Sequence, residues 1–296
     1  TSRIRTAIDF YHRHPISAQI ILAKLEATRG TLEGLQPEDL FPHDQDHYGG
    51  LAANDALAKA ARIGINCKVV DLCAGLGGPA RYLAHRYGAD VTGIELTPAR
   101  VAGAAELSRR VGLDGKVRVL EGNVMDLPLA DASYDAVVSQ EALLHVPDIA
   151  RAFAEAHRVL RPGGRIAFTN WVVHRPLSDA ERQLLWDGMA AATLAGIDRH
   201  AELLRGAGFE IEAVEDETEA WGVILGERLR MYEKLRGEAE AAGTPSGHDD
   251  FYRSYVLFVD LVQRKAMGGA RFTAVKRYRV LFADAAQRIA KWRERC

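Results

Sequence analysis

Asp71, Gly75, Gly77 and Glu95 have the types and spacing to do chemistry. The stretch Val69-Val-Asp-Leu-Cys-Ala-Gly-Leu-Gly-Gly-Pro79 runs from an apolar segment through an acid into glycines. It ends on a proline suited to the first position of a helix. Gly75-Leu-Gly77-Gly78-Pro-Ala80 fits G-x-G-x-x-A, a pattern in which backbone N–H groups approach a ligand closely. One reading is a dinucleotide site, with Glu95 ending the next strand and accepting from ribose hydroxyls. Asp71 argues against it, because a pyrophosphate over the helix start would meet a carboxylate. An acid there better suits a cationic ligand, one carrying a sulfonium or an ammonium group. A tight turn with no ligand is the third reading.

A second group lies in Ser139-Gln-Glu-Ala-Leu-Leu-His-Val-Pro-Asp148. Gln140 and His145 flank a strand end, where open α/β sheets expose groups beside a ligand. As a neutral imidazole, His145 could take a proton from an amine or a hydroxyl, or it could hold the loop. Glu141 is either a second proton acceptor or an acid favoured at a helix start. Tyr48, in Asp44-Gln-Asp-His-Tyr-Gly-Gly50, either sets its ring near a cation or tucks into the core. Trp171 either walls a substrate site or packs at its strand end.

Four motifs in order carry a family resemblance. Asp71-Leu-Cys-Ala-Gly75-Leu-Gly77 resembles the first motif of class I S-adenosylmethionine-dependent methyltransferases, and Glu95 resembles their second-strand acid. Glu121-Gly-Asn-Val-Met-Asp-Leu-Pro128 resembles their adenine loop. Phe153-Ala-Glu-Ala-His-Arg-Val-Leu-Arg-Pro-Gly-Gly-Arg-Ile-Ala-Phe168 resembles the helix and strand that follow. The resemblance spans residues 45 to 171. It is nearest to the small-molecule branch that includes sarcosine and dimethylglycine N-methyltransferases.

The resemblance implies S-adenosylmethionine as cofactor, S-adenosylhomocysteine as product and no metal. Glu95 would bind the ribose, Asp71 the methionine part, and the Gly75 and Gly77 backbone would approach that same end. Asn123 and Val124 would hold the adenine, with Asp126 as a second candidate, and Leu96 would also contact the cofactor. Asn123 stands where the family more often has aspartate, and its neutral oxygen accepts more weakly. The Gln140 backbone and the Tyr48 ring complete the cofactor contacts, and His145 and Glu141 are the candidate catalytic residues. The implied reaction is methyl transfer to a small-molecule acceptor, an amine nitrogen first. An oxygen or carbon of a natural-product or lipid-like metabolite is the alternative, and NAD-dependent oxidation is a more distant one.

The elements that must position these residues follow from periodicity. Helices are expected over 3–30, 51–63, 78–87, 97–111 and 147–160, and strands over 67–72, 90–95, 117–121, 134–139 and 164–171. Strands alternating with helices imply a parallel sheet covered on both faces, and the resemblance implies a doubly wound, mostly parallel seven-stranded sheet, a Rossmann-like α/β fold. Residues 31–50, with Pro37 and Pro42, read as irregular. Beyond Trp171 come helices over 178–194, 199–207, 221–243 and 249–267, with a strand over 209–214. A short strand over 270–275 competes with one longer helix carrying Phe272, Val275, Tyr278 and Phe282. The expected organisation is one domain: a helical lid segment 1–50, a core 51–218, a helical lid insertion 219–268, and a strand and helix over 269–296.

At 296 residues with a formal net charge of −2, the chain has no field that favours nucleic acid or anionic membrane over small molecules. The basic tail with Lys276, Arg277, Arg279, Arg288, Lys291 and Arg293 reads as the solvated face of a helix. Cys67, Cys73 and Cys296 form no disulfide framework or metal cluster. No signal peptide and no spanning apolar run is evident, so a soluble cytoplasmic protein is expected. Its expected partner is a small-molecule acceptor, with no nucleic acid and no stable membrane insertion. A homodimer is the one candidate assembly.

Overall fold

The computed structural model describes residues 8–9, 16–241 and 249–277. Seven strands form one sheet: β1 (Lys68–Leu72), β2 (Asp90–Glu95), β3 (Val117–Glu121), β4 (Tyr134–Gln140), β5 (Leu160–Val173), β6 (Phe209–Asp216) and β7 (Met267–Lys276). Their order is β3-β2-β1-β4-β5-β7-β6. β1 lies between β2 and β4 in parallel, and β7 inserts antiparallel between β5 and β6. This is the expected seven-stranded α/β sheet. Val69, Val70 and Leu72 of β1 are wholly buried, as a central strand covered on both faces requires.

The helices of the described residues are α1 (Ala18–Arg29), α2 (Pro37–Asp44), α3 (Gly50–Ala60), α4 (Gly78–Tyr87), α5 (Pro98–Arg110), α6 (Ile149–Val159), α7 (Asp179–Met189), α8 (Ile197–Gly206), α9 (Thr218–Ala241) and α10 (Asp249–Gln263). On one face of the sheet, Phe153 of α6 packs against Phe168 of β5, which stacks on Phe272 of β7 at 4.9 Å. All three rings are fully buried, each contributing about 1.5–3 kcal/mol to folding. On the other face Leu57, Ala80 and Leu83 close over Val69 and Ala136.

Past the end of β5, α7, α9 and α10 gather around Trp171, Trp221, Tyr255 and Phe258. Gly269 of β7 makes this approach possible: a Cβ there would fall 2.3 Å from the Trp221 ring.

Two expectations need correction, and the open alternative at 270–275 is decided for the strand. Residues 37–44 are a helix, not loop, despite Pro37 and Pro42. Pro37 sits at the helix start, Gln36 and Asp39 cap one another, and Leu40 is fully buried. Residues 270–275 belong to β7, so Phe272 and Val275 lie on a strand, not on a longer helix. β5 begins at Leu160, with a register irregularity opposite Tyr134 and Ala136, so the Arg-Pro-Gly-Gly turn is absorbed into its first residues. Most of the expected first helix before residue 16, and the terminal helix with Tyr278, Arg279, Phe282, Arg288, Lys291, Arg293 and Cys296, lie outside the described residues. No helix among those described is long and apolar enough to cross a membrane.

Candidate active site

A cleft of about 1120 Å³ opens at the carboxyl ends of β1, β2 and β4. Asp71, Gly75, Glu95, Leu96, Asn123, Val124, Gln140, Glu141 and His145 all line it. Residues dispersed over the sequence are thus brought together, whereas Gly77, expected beside the same ligand, is outside the lining.

Asp71 is almost wholly buried at the end of β1, and its Oδ2 has no hydrogen-bond partner among the described residues. Burial, and then the nearby Glu95 carboxylate, push its pKa up to about 7. The next turn is tight. Gly75 adopts φ +56°, and a Cβ there would lie 3.1 Å from Arg100 Nη2. Glu95 is held from both sides, with the Gly75 N–H donating to Oε2 at 3.0 Å and the Thr97 N–H to Oε1 at 2.9 Å. A carboxylate can accept about four hydrogen bonds, so two backbone donors fix its direction and leave capacity for hydroxyls.

The loop after β3 closes the far end of the cleft with Gly122, Asn123, Val124 and Met125. Asn123 Oδ1 accepts from the Met125 N–H at 2.9 Å, and the Asn123 carbonyl accepts from the Asp126 N–H at 2.9 Å. Asn123 therefore shapes this loop with the same oxygen that was expected to meet adenine. Asp126 pairs with Asn123 in an isolated bridge and is outside the cleft lining.

The opposite wall follows β4. His145 stands on a short 3₁₀ turn, with Nδ1 3.0 Å from the Ala190 carbonyl oxygen. Glu141 takes a left-handed conformation, φ +48°. Its Oε1 accepts from the Thr169 hydroxyl at 2.6 Å and its Oε2 from the Tyr48 N–H at 2.7 Å. Burial raises its pKa to about 7 against the lowering effect of those two bonds. His47 Nδ1 lies 3.1 Å from both Gln140 Nε2 and the Tyr48 carbonyl oxygen. Burial pulls the His47 pKa down.

Tyr48 and Trp171 are placed away from the cleft lining. The Tyr48 ring is buried, meets Trp221 edge-on at 4.8 Å, and has the Arg228 guanidinium 4.7 Å from its centre. A cation from within the chain thus occupies the ring expected to face a sulfonium. Trp171 stacks flat on Phe258 at 3.6 Å, its Nε1 without a partner among the described residues.

Other residues of the site were not picked out from the sequence. Asp44 pairs with Arg81 at 2.9 Å, Asp46 pairs with Arg100 at 3.1 Å, and Asp44, Asp46, His47 and Arg100 all line the cleft. The only signal was the density of polar residues in Asp44-Gln-Asp-His47, which reads equally well as solvated loop.

Comparison with known proteins agrees with this geometry. Residues 70–168 match the model of a methyltransferase domain family. The chain is 32% identical over 179 residues to a sarcosine/dimethylglycine N-methyltransferase of Halorhodospira halochloris, covering 60% of this chain and 64% of that one. It is 32% identical over 190 residues to a sterol 24-C-methyltransferase of Gibberella zeae, covering 60% and 50%. The match thus spans less than two thirds of each relative's length. Among solved structures, phosphoethanolamine N-methyltransferase 2 of Haemonchus contortus in complex with S-adenosyl-L-methionine superposes with a TM-score of 0.72. That match has 23% identity and covers 92% of this chain and 60% of the other. Residues 70–168 are therefore similar to a methyltransferase domain family, and the sheet that holds them has the α/β fold of the methyltransferase structure it superposes on.

Proposed function

We propose that the chain is an S-adenosylmethionine-dependent methyltransferase whose acceptor is a small-molecule amine. The observation that carries this reading is the set of carboxyl groups that lines the cleft. Asp44, Asp46, Asp71, Glu95 and Glu141 line it, and Arg100 is the one lysine or arginine among the described lining residues. Arg100 itself bonds Asp46. Asp44 is neutralised by Arg81, and Asp71 and Glu141 are pushed up to about 7, so the wall offers hydrogen-bond acceptors to an ammonium while its one cation is already engaged by Asp46.

The cofactor fits the residues present. The partnerless Asp71 oxygen suits an ammonium, the left-handed Gly75 turn brings backbone to the cleft lining, and Glu95 is aimed to accept from ribose hydroxyls. When bound, S-adenosylmethionine supplies a methyl group already activated by its sulfonium. The chain then supplies alignment and exclusion of water, which can provide much of the acceleration. His145 lines the cleft with its Nδ1 directed at the Ala190 carbonyl and is the candidate acceptor for a proton from the amine. The relatives' names include transfer to carbon, so the methylated atom is the point to test.

The test is transfer of labelled methyl by the purified protein to a panel of amines, amino acids, phenols and sterols. The reading predicts N-methylation of amines that lack an anionic group. Methylation of carbon or oxygen alone, or a requirement for a carboxylate on the acceptor, would overturn it.

A further inference from the structure

Glu141 was expected among the groups that handle protons, but its geometry suits another task. Both its oxygens are engaged, one by the Thr169 hydroxyl of β5 and one by the Tyr48 N–H, 93 positions away in sequence. Its own N–H donates to the Thr169 carbonyl at 2.9 Å. The side chain is thereby aimed by a left-handed backbone that non-glycine residues adopt only when the surroundings impose it.

Tyr48 lies in the segment 45–49, which joins α2 to α3 and carries Asp46 and His47 into the cleft. This segment lies against Gln140 and Glu141 at the end of β4. It is fastened below by the Asp44–Arg81 pair and to α9 by Arg228, which donates to the His47 carbonyl at 2.9 Å. Arg228, Asp46 and Tyr48 are the charged and titratable groups whose fields reach Glu141. The bond from Glu141 to Tyr48 crosses from the strand ends of the sheet to this segment, beside the neutral contact of Gln140 Nε2 with His47 Nδ1 at 3.1 Å.

We propose that Glu141 is a positioning residue, a latch that holds segment 45–49 closed over the cofactor. It rests on the reading of the cleft as the cofactor site. A glutamate in this role shields the bound cofactor and does not carry the proton in the transfer. A charge-assisted bond of this kind shifts the closed–open balance about tenfold or more.

The experiment compares the wild-type protein with Glu141→Ala, Glu141→Gln and Thr169→Val, with folding checked by circular dichroism. Hydrogen exchange at the Tyr48 amide is read without ligand, and dissociation of S-adenosylhomocysteine is read by stopped flow. The latch predicts that Glu141→Ala speeds Tyr48 exchange and S-adenosylhomocysteine release about tenfold or more. Glu141→Gln, which keeps an oxygen to accept from Tyr48, stays within about threefold of wild type. Should Glu141→Ala not fold, Thr169→Val, which removes one of the two side-chain contacts aiming the carboxylate, is expected to speed both several-fold. Unchanged Tyr48 exchange and unchanged release in the folded variants would overturn the proposal. Failure of S-adenosylhomocysteine to bind the wild-type protein would instead defeat the cofactor reading, while the ligand-free exchange still decides the latch.

Discussion

Asp44 and Arg81 form an ion pair at 2.9 Å in which both side chains are completely buried. Arg81 Nε and Nη2 both reach Asp44 Oδ2, and Nη1 reaches Ser108 Oγ and the Ala104 carbonyl. Asp44 ends α2 and Arg81 lies in the first half of α4, directly after the glycine turn. The N-terminal segment is therefore anchored onto the cofactor loop at its base.

Breaking this pair should be costly, because the remaining charge has no water to turn to. Asp44→Asn is expected to destabilise the fold by about 3–5 kcal/mol. Equilibrium unfolding in urea checks this, and a loss below about 1 kcal/mol would show that the pair is dispensable.

Asp71 predicts a pH dependence of stability. Its pKa is about 7 in the folded chain against an ordinary value of 3.8. Between those values the folded chain holds a proton that the unfolded chain has released, so stability falls as pH rises through the window. Asp71→Asn removes that cost. The variant should be more stable than wild type by at least about 1 kcal/mol near pH 8, since one pKa unit is worth about 1.4 kcal/mol. The gap should close toward pH 4. Glu141 titrates in the same direction but is present in both proteins and cancels. Unfolding curves at the two pH values decide it, and a gap independent of pH would contradict the account.

Once an acceptor is known, His145 separates chemistry from binding. His145→Ala should lower kcat by about 10²–10⁴, the usual contribution of a positioned base, and leave S-adenosylhomocysteine affinity within about threefold. Normal turnover would make His145 a structural residue tied to Ala190.

The central strands were legible because they are short, apolar and bounded by glycine or proline, and Asp71 and Glu95 could be placed because each closes such a strand. Helix α2 was hidden by its two prolines. The features that offset them, the Gln36–Asp39 cap and the burial of Leu40, depend on tertiary context. The status of β7 turned on Gly269, whose value is room for Trp221, a residue on another element. The roles of Glu141, Tyr48 and Arg81 could not be read at all, since each is defined by a partner distant in sequence. Alternation reports which face is buried; it carries nothing about which polar atoms meet.

Gly75 tests the shape of the cofactor loop apart from its charge. Gly75→Val places a branched side chain at φ +56° against Arg100, so S-adenosylhomocysteine binding should be lost while the chain still unfolds cooperatively. Retained affinity in a thermal-shift titration would remove this turn from the site.

The most direct measurement is calorimetric titration of S-adenosylhomocysteine into the wild-type protein and into Glu95→Ala. The account predicts one site per chain in the wild type. The variant should bind about 10–100-fold more weakly, the worth of hydrogen bonds to a charged group at about 1.5–3 kcal/mol. No binding to the wild type, or equal affinity in a folded Glu95→Ala, would contradict it.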